Sequence, residues 1–475
     1  MGSALLPAAD MVARRLAIGG PRAALHRSGV RPPPGLPALP IACSAVTPLG
    51  SVTLNPDDAI EAAYNFATPV IGNRTVYLKP SAPSEGDGSF ASPFRTIATA
   101  LRTTTVAATR IVCLENAVFT DSDAWQLRDT DTSQTTGLGS LLKFIDANGY
   151  DVTIRNAGPD LATQSYAADA SYTNCTFTVL TGAGAAQPVV RVLDAANLDA
   201  FGEAKSYRRY ASAALLDAGG SGAGWHYDAA TKTLRLNVNA ESLKANLRGI
   251  YGAASGASRI YVQGSALLLR GVKTEGVQFL IADGAARSGA VWLDRHQSRF
   301  ADGKGIDMAQ AGSAVLTDCL FHASESDAVN AFQRGAHASK GLVLTARSTF
   351  RAAGDCLAFN GTLQGSSAHG GTHHVGFGNR YWGNNGQGVA DTVIAGELGD
   401  VSWLVGCTAG GAPAGTANFF FGSGADAVLR RTAYLDTCVS EGFGGGGFDV
   451  QVATGAAAFA RNCEFADVAG IVGTY

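Results

Sequence analysis

Ser298-Arg299-Phe300, Cys319-Leu320-Phe321, Ser348-Thr349-Phe350, Asn379-Arg380-Tyr381 and Cys463-Glu464-Phe465 repeat one phrase along the chain: a small residue, a spacer, then an aromatic. The first three steps between aromatics are 21, 29 and 31 residues. After each of the first four comes a turn and a second short apolar strand: Lys304-Gly305-Ile306, Asp327-Ala328-Val329, Asp355-Cys356-Leu357 and Gln387-Gly388-Val389. A variable period of this size points to a solenoid whose coils share a core and differ in their loops. Equivalent side chains then stack at the ordinary strand spacing of about 4.8 Å. Helical repeats of similar period do not fit, because the apolar runs are short and broken by glycine.

Composition agrees. The chain has 475 residues, 46% hydrophobic and 16% charged, with a net charge of −3. Such a chain buries a core, and its balance leaves no electrostatic footprint for nucleic acid. No apolar stretch is long enough to span a membrane. Eight of the 16 prolines fall in the first 50 residues, and only Pro159, Pro188 and Pro413 follow Pro93. Proline removes a ladder donor, so the nearly proline-free remainder reads as all-β. The eight cysteines lie far apart without metal-ligand spacing, so neither a metal nor another cofactor is expected.

Residues 1–50 differ from the rest. Arg14, Arg15, Arg22, Arg27 and Arg31 stand against one acid, Asp10, before a proline-rich run at 32–37. Arg14 and Arg15 interrupt the only candidate for a secretory core, so the segment reads as a basic anchoring arm. Residues 51–88 read as a neck. Gly86-Asp87-Gly88-Ser89-Phe90-Ala91-Ser92-Pro93-Phe94-Arg95-Thr96-Ile97 then makes a turn-rich entry. Phe94, Ile97, Ala98 and Leu101 follow at helical spacing, ahead of a strand at Arg110–Leu114.

This entry resembles the opening of the pectin-lyase-like right-handed parallel β-helix family, in which such a helix caps the first coil. The fold the resemblance implies is an all-β, right-handed parallel β-helix: first coils and capping helix at 89–164, main coils at 256–475. Residues 165–255 fit the repeat poorly. There Trp225, Tyr227, Leu234, Leu236 and Val238 alternate around a polar turn, which predicts an inserted hairpin. That segment resembles a hairpin found beside the coils in several glycan-processing β-helix proteins.

The family's fold hosts several activities, so function has to be read from a site. The arginine-proline motif of pectate lyases is absent from the main coils, and the aspartate-pair and Gly-His-Gly motifs of polygalacturonases are absent as well. Aligning coils by their aromatics places Asp327 and Asp355 in one column, with Lys304 before and Gln387 after, and Glu325, Asp307 and Asn330 close by. Carboxylates on adjacent coils would lie about 5 Å apart, and such a pair splits into an acid and a base. Asp327, Asp355 and Glu325 are therefore the candidate catalytic residues. The competing reading is that aspartates after glycine or serine cap turns.

Six of the eight histidines fall between His296 and His374. The segment Gly365–His374 reads as a glycine-flanked surface loop presenting His369 and His373. Alternation turns Tyr381 into the stack and Trp382 outward, where an indole can lie against a sugar. His369, His373 and Trp382 are the candidate glycan-binding residues. The anchoring arm and the interrupted secretory core point to a virion-associated or extracellular protein, and resemblance to tailspikes implies a homotrimer. It recognises, and on one reading depolymerises, a surface polysaccharide, with residues 1–50 meeting other virion proteins. The alternatives are a stand-alone polysaccharide lyase or glycoside hydrolase, and a purely structural spike.

Overall fold

The computed structural model describes residues 74–103, 108–120, 126–128, 142–156, 158–181, 188–219, 223–238, 244–251, 259–282, 289–309, 312–332, 341–354, 364–370, 372–393, 401–423, 431–443, 447–453, 455–470 and 472–473. The expected arm at 1–50 lies outside them.

Each turn of the chain lays down three short strands. Gln278–Ala282, Ala290–Asp294 and Gln297–Arg299 form one turn. Ile306–Ala309, Ser313–Thr317 and Leu320–His322 form the next and pair with them strand for strand, in parallel. Repetition builds three parallel sheets of twelve, nine and ten strands among the described residues, here the first, second and third sheets. The architecture is a parallel β-helix, wound in the right-handed sense that parallel crossovers take. Alternation puts Ile306, Met308, Ala314, Leu316 and Phe321 inside, all essentially without solvent contact.

The corner between the first and second sheets explains why the coils stay in register. Gly271, Arg295, Asp318, Arg347, Gly378, Gly406, Thr437 and Asn462 occupy it in eight successive turns, all with φ between 49° and 65°. A non-glycine residue costs about 1–2 kcal/mol in this left-handed region. The cost is offset by a ladder bond at each step: Arg295 N–H donates to Thr317 O at 2.9 Å, Asp318 N–H to Ala346 O at 2.9 Å, and Arg347 N–H to Phe377 O at 2.8 Å. The next residue is thereby turned inward, giving a buried column of His296, Cys319, Ser348, Asn379, Cys407 and Cys438. Its members cap one another's backbone: Cys319 N–H donates to Ser348 Oγ at 3.1 Å and Ser348 N–H to Asn379 Oδ1 at 2.9 Å.

Two positions further, Phe321, Phe350 and Tyr381 stack, with centroids 5.4 and 5.1 Å apart and rings within 17° of parallel. The register corrects one expected rung. Ser298 pairs with Phe321, so Phe300 falls two residues beyond the aromatic column. With φ at 56° it turns outward and packs with Leu193 and Ile250 of the insertion.

At the N-terminal end, the segment expected as a neck contributes the edge strand Arg74–Leu78, paired with Ala108–Cys113. The glycine-rich entry folds back on that strand: Tyr77 N–H donates to Gly88 O and Phe94 N–H to Tyr77 O, each at 2.9 Å. Gly88 is obligatory here, because its φ is +84° and a Cβ would sit 2.4 Å from the Phe94 ring. Helix Ile97–Thr103 follows, and its buried Ile97, Ala100 and Leu101 close the end of the core.

Between strands Val152–Arg155 and Arg259–Gln263 the chain leaves the coils. It builds a five-stranded sheet containing the expected hairpin, Gly224–Asp228 with Thr233–Asn237, and a separate three-stranded sheet. Trp225, Leu234 and Leu236 form this unit's own core. Polar contacts fasten it to the outward face of the second sheet. Glu203 bridges Arg299 at 3.1 Å and Arg351 at 3.0 Å, and Asp199 meets His322 at 2.9 Å.

One polar cluster lies inside the coils. Asp391, on an inward position of the third sheet, accepts hydrogen bonds from Ala368 N–H at 3.0 Å and Ser402 Oγ at 2.6 Å. It faces His374 Nδ1 at 2.9 Å and Arg431 Nη2 at 3.6 Å, and all four side chains are fully buried. Burial alone would raise the Asp391 carboxyl, but His374 and Arg431 outweigh it and hold it at about 2. This ionised carboxylate stabilises the fold above the unfolded value of about 4, and the contribution disappears as pH falls from about 4 to about 2. Asp391→Asn strips Arg431 of its counter-charge. A loss of about 3–5 kcal/mol is expected in urea denaturation at pH 7, shrinking as the pH approaches 2.

Candidate active site

The outward face of the third sheet carries a group of polar side chains over strands Ile306–Ala309, Val329–Phe332 and Ser366–Ala368. Asp307, Asn330 and Ser367 are direct neighbours across these strands. Inward residues such as Ile306 and Val329 anchor the strands in the core, so the alternate positions must face out. At the preceding corner, Gly305 N–H donates to Asp327 O, Ala328 N–H to Gln364 O and Gly365 N–H to Gln387 O, each at 3.1 Å. The corner column is therefore Lys304, Asp327, Gln364, Gln387. The position expected for Asp355 belongs to Gln364, and Asp355 itself lies outside the described residues. Spacing from the aromatic does not find this rung because 14 residues separate Phe350 from Gln364, against six from Phe321 to Asp327 and six from Tyr381 to Gln387.

Asp327 is 5% exposed. Its carboxylate accepts Gln364 N–H at 2.8 Å, Ser367 Oγ–H at 2.8 Å and Asn330 Nδ2–H at 3.3 Å. Burial nevertheless pushes the carboxyl above its ordinary value, against the opposing pull of these donors and of Lys304. Lys304 Nζ donates to Asp307 Oδ1 and to Asn330 Oδ1, both at 2.9 Å, and lies 5.4 Å from the centroid of the Phe332 ring. Asn330 is the hub, since its Nδ2 also contacts Ser367 Oγ at 2.9 Å and His369 Nε2 at 3.3 Å. Lys304 and Asp307 are about a quarter exposed, so the cluster has a buried floor and an open rim.

The other expected site residues scatter. Glu325 turns towards the insertion, pairing with Arg209 at 2.7 Å and accepting Gly303 N–H at 3.2 Å. Trp382 projects from the second sheet, half-buried, with Arg380 4.8 Å from its ring centroid and its indole lying across Gly410, where no side chain intervenes. His373 stands on the outward face of the first sheet and is nearly buried. His369 alone of the three joins the Asp327 cluster. One sugar ring cannot touch three residues on three sheets. The segment Gly365–His374, expected as a surface loop, is instead two strands, Ser366–Ala368 and the start of Thr372–Phe377, with a glycine corner between them. Ser367 and Gln364 join the cluster through register alone, which no local sequence signal reports.

His369 is held down at about 4, by burial first and by the cations Arg431 and Lys304, with Asp391 opposing. His296, in the core, is held down at about 3 by burial. Both imidazoles are neutral in the folded protein at pH 6, whereas the unfolded chain begins to take protons near 6.5. Stability therefore falls as pH drops from about 6.5 towards 4. An NMR titration should find the His369 imidazole unprotonated at pH 6, and His369→Gln should flatten part of this pH dependence. A His369 midpoint near 6.5 would contradict the burial described.

No protein-family model and no curated protein sequence matches the chain. Among solved structures, a glycoside hydrolase is similar with a TM-score of 0.42 and 8% identity, over 84% of this chain and 95% of that one. A pectate lyase is similar with a TM-score of 0.37 and 14% identity, over 86% and 80% respectively. Both are distant, and the fold assigned above rests on the chain's own strand register.

Proposed function

We propose that the outward flank of the third sheet acts on a polysaccharide, with Asp327 as general acid. The observation that carries this reading is a carboxyl pushed above its ordinary value by burial, beside a partly exposed polar rim. Two carboxyls in unlike surroundings are the arrangement that acid and base chemistry on a glycosidic bond requires. Asp307, ion-paired with Lys304, is the partner within the cluster, and Asp355 is the partner named by the sequence. Neutral His369 can exchange hydrogen bonds with sugar hydroxyls. An extended flank suits a polymer better than a small ligand, because equivalent positions recur at every turn of about 4.8 Å. Hydrolysis is favoured over elimination, since Lys304 is engaged with Asp307 and Asn330.

The reading extends to a virion-associated, homotrimeric spike anchored through residues 1–50. Its support is the basic, proline-rich composition of that segment. Trp382, on another flank, would then serve a separate contact with the glycan.

Incubation of the purified protein with envelope polysaccharides should release shorter oligosaccharides, measured by size-exclusion chromatography. Asp327→Asn should lower the rate about 10²–10⁴-fold, and Asp307→Asn or Asp355→Asn should identify the base. Unchanged cleavage by Asp327→Asn rejects the assignment, and no cleavage of any glycan leaves the structural spike. Sedimentation equilibrium of the full chain should give three times the chain mass; a monomer at micromolar concentration counts against the trimer.

A further inference from the structure

The same cluster holds a second chemical relationship that needs no glycan. Lys304 Nζ lies 2.9 Å from Asn330 Oδ1, on the next turn of the coil. The amine's other close contact is a carboxylate, Asp307 Oδ1 at 2.9 Å. The nitrogen of the Asn330 amide is held at 3.3 Å by a second carboxyl, Asp327 Oδ2. An amine, an amide, a carboxylate on the amine and a second carboxyl on the amide nitrogen thus meet across two adjacent turns. Both backbones are pinned: Asp307 and Asn330 are register partners, and the inward Ile306 and Val329 are fully buried.

We propose that Lys304 and Asn330 join through an intramolecular isopeptide bond that staples two successive turns of the β-helix. Asp307 takes a proton from the Lys304 ammonium, and the amine attacks Asn330 Cγ. The Nζ–Cγ bond forms, and the tetrahedral intermediate collapses by breaking Cγ–Nδ2. Asp327 takes one proton from the Nζ of the intermediate and passes it to the departing nitrogen, which leaves as ammonia and carries off the Asp307 proton as ammonium. An amine and an amide enter, a substituted amide and ammonia leave, and no oxidant or cofactor is consumed.

Several features favour the step. Side chains fixed at contact distance react with effective concentrations far above those of free reactants. Asn330 is 6% exposed, which limits competition from water. The Phe332 ring at 5.4 Å lowers the polarity around the amine. Burial raises the Asp327 carboxyl, so it can hold the proton that the leaving group needs. Asp327 and Asp307 are both regenerated, so both carboxyls remain for the role proposed towards a glycan, with Asp307 no longer paired to a charged Lys304. The two inferences also fail separately, because one is read as a mass and the other as cleavage.

The test is intact-mass spectrometry of the purified full chain, followed by tandem spectrometry of its proteolytic fragments. The expected mass is one ammonia below the sequence mass, with a fragment in which Lys304 is joined to Asn330. Lys304→Arg, which keeps the charge without the nucleophile, and Asp327→Asn, which removes the acid, should carry their full sequence masses. The unaltered chain should also unfold at a higher urea concentration than Lys304→Arg. A wild-type chain of full sequence mass overturns the proposal, as does an ammonia loss that persists in Lys304→Arg.

Discussion

The left-handed corner between the first and second sheets is the constraint on which the rest of the molecule depends. A strand cannot change direction by a large angle in one residue with ordinary φ, and here a single residue per turn accepts positive φ in eight consecutive turns. Five of the eight carry side chains, so the corner is locally unfavourable at most rungs and persists through the ladder bonds it completes. Once it is set, the next residue must point inward, and the aromatic two positions later stacks on its neighbours. The thiols, hydroxyls and amide of the inward column cap backbone groups that would otherwise be buried unpaired, which is why small polar residues occupy it.

The insertion shapes the surface as much as the coils do. Along the outward face of the second sheet, Glu275, Arg299, His322, Arg351 and Trp382 form one column. The insertion presents Arg248, Glu203, Asp199 and Phe201 to its members. Arg248 meets Glu275, and Arg299 and Arg351 meet Glu203, with both carboxylates mostly buried. That flank is occupied from Glu275 to Arg351. The polar cluster around Asp327 sits on a different sheet, and among the described residues its rim is about a quarter exposed.

Burying Asp327 on an outward position is not something the fold requires. The equivalent corner rungs Lys304, Gln364 and Gln387 are each less buried than Asp327. Burial raises the Asp327 carboxyl despite three donors and a nearby lysine, so the site carries a desolvation cost that the repeat does not demand. Asp391 offers the contrast. It lies deeper, yet its charge is matched by His374 and Arg431, so it acts as a structural cross-brace.

The sequence by itself determined the solenoid, because strand alternation and a recurring small-x-aromatic phrase are local signals that survive variable loop lengths. It also determined the entry turn, the capping helix, the hairpin around Trp225 and the inward turn of Tyr381. Asp327, Lys304, Asp307, Asn330 and Gln387 could be gathered on one flank from their offsets after each aromatic. Register was decided by the tertiary structure. Whether Asp355 or Gln364 stands beside Asp327, whether Phe300 joins the stack, and which sheet carries Trp382, His369 and His373 depend on how many residues each turn spends at its corners. That number is fixed by hydrogen bonds to the neighbouring turn, and no residue declares its neighbour on the next coil in the linear order of the chain.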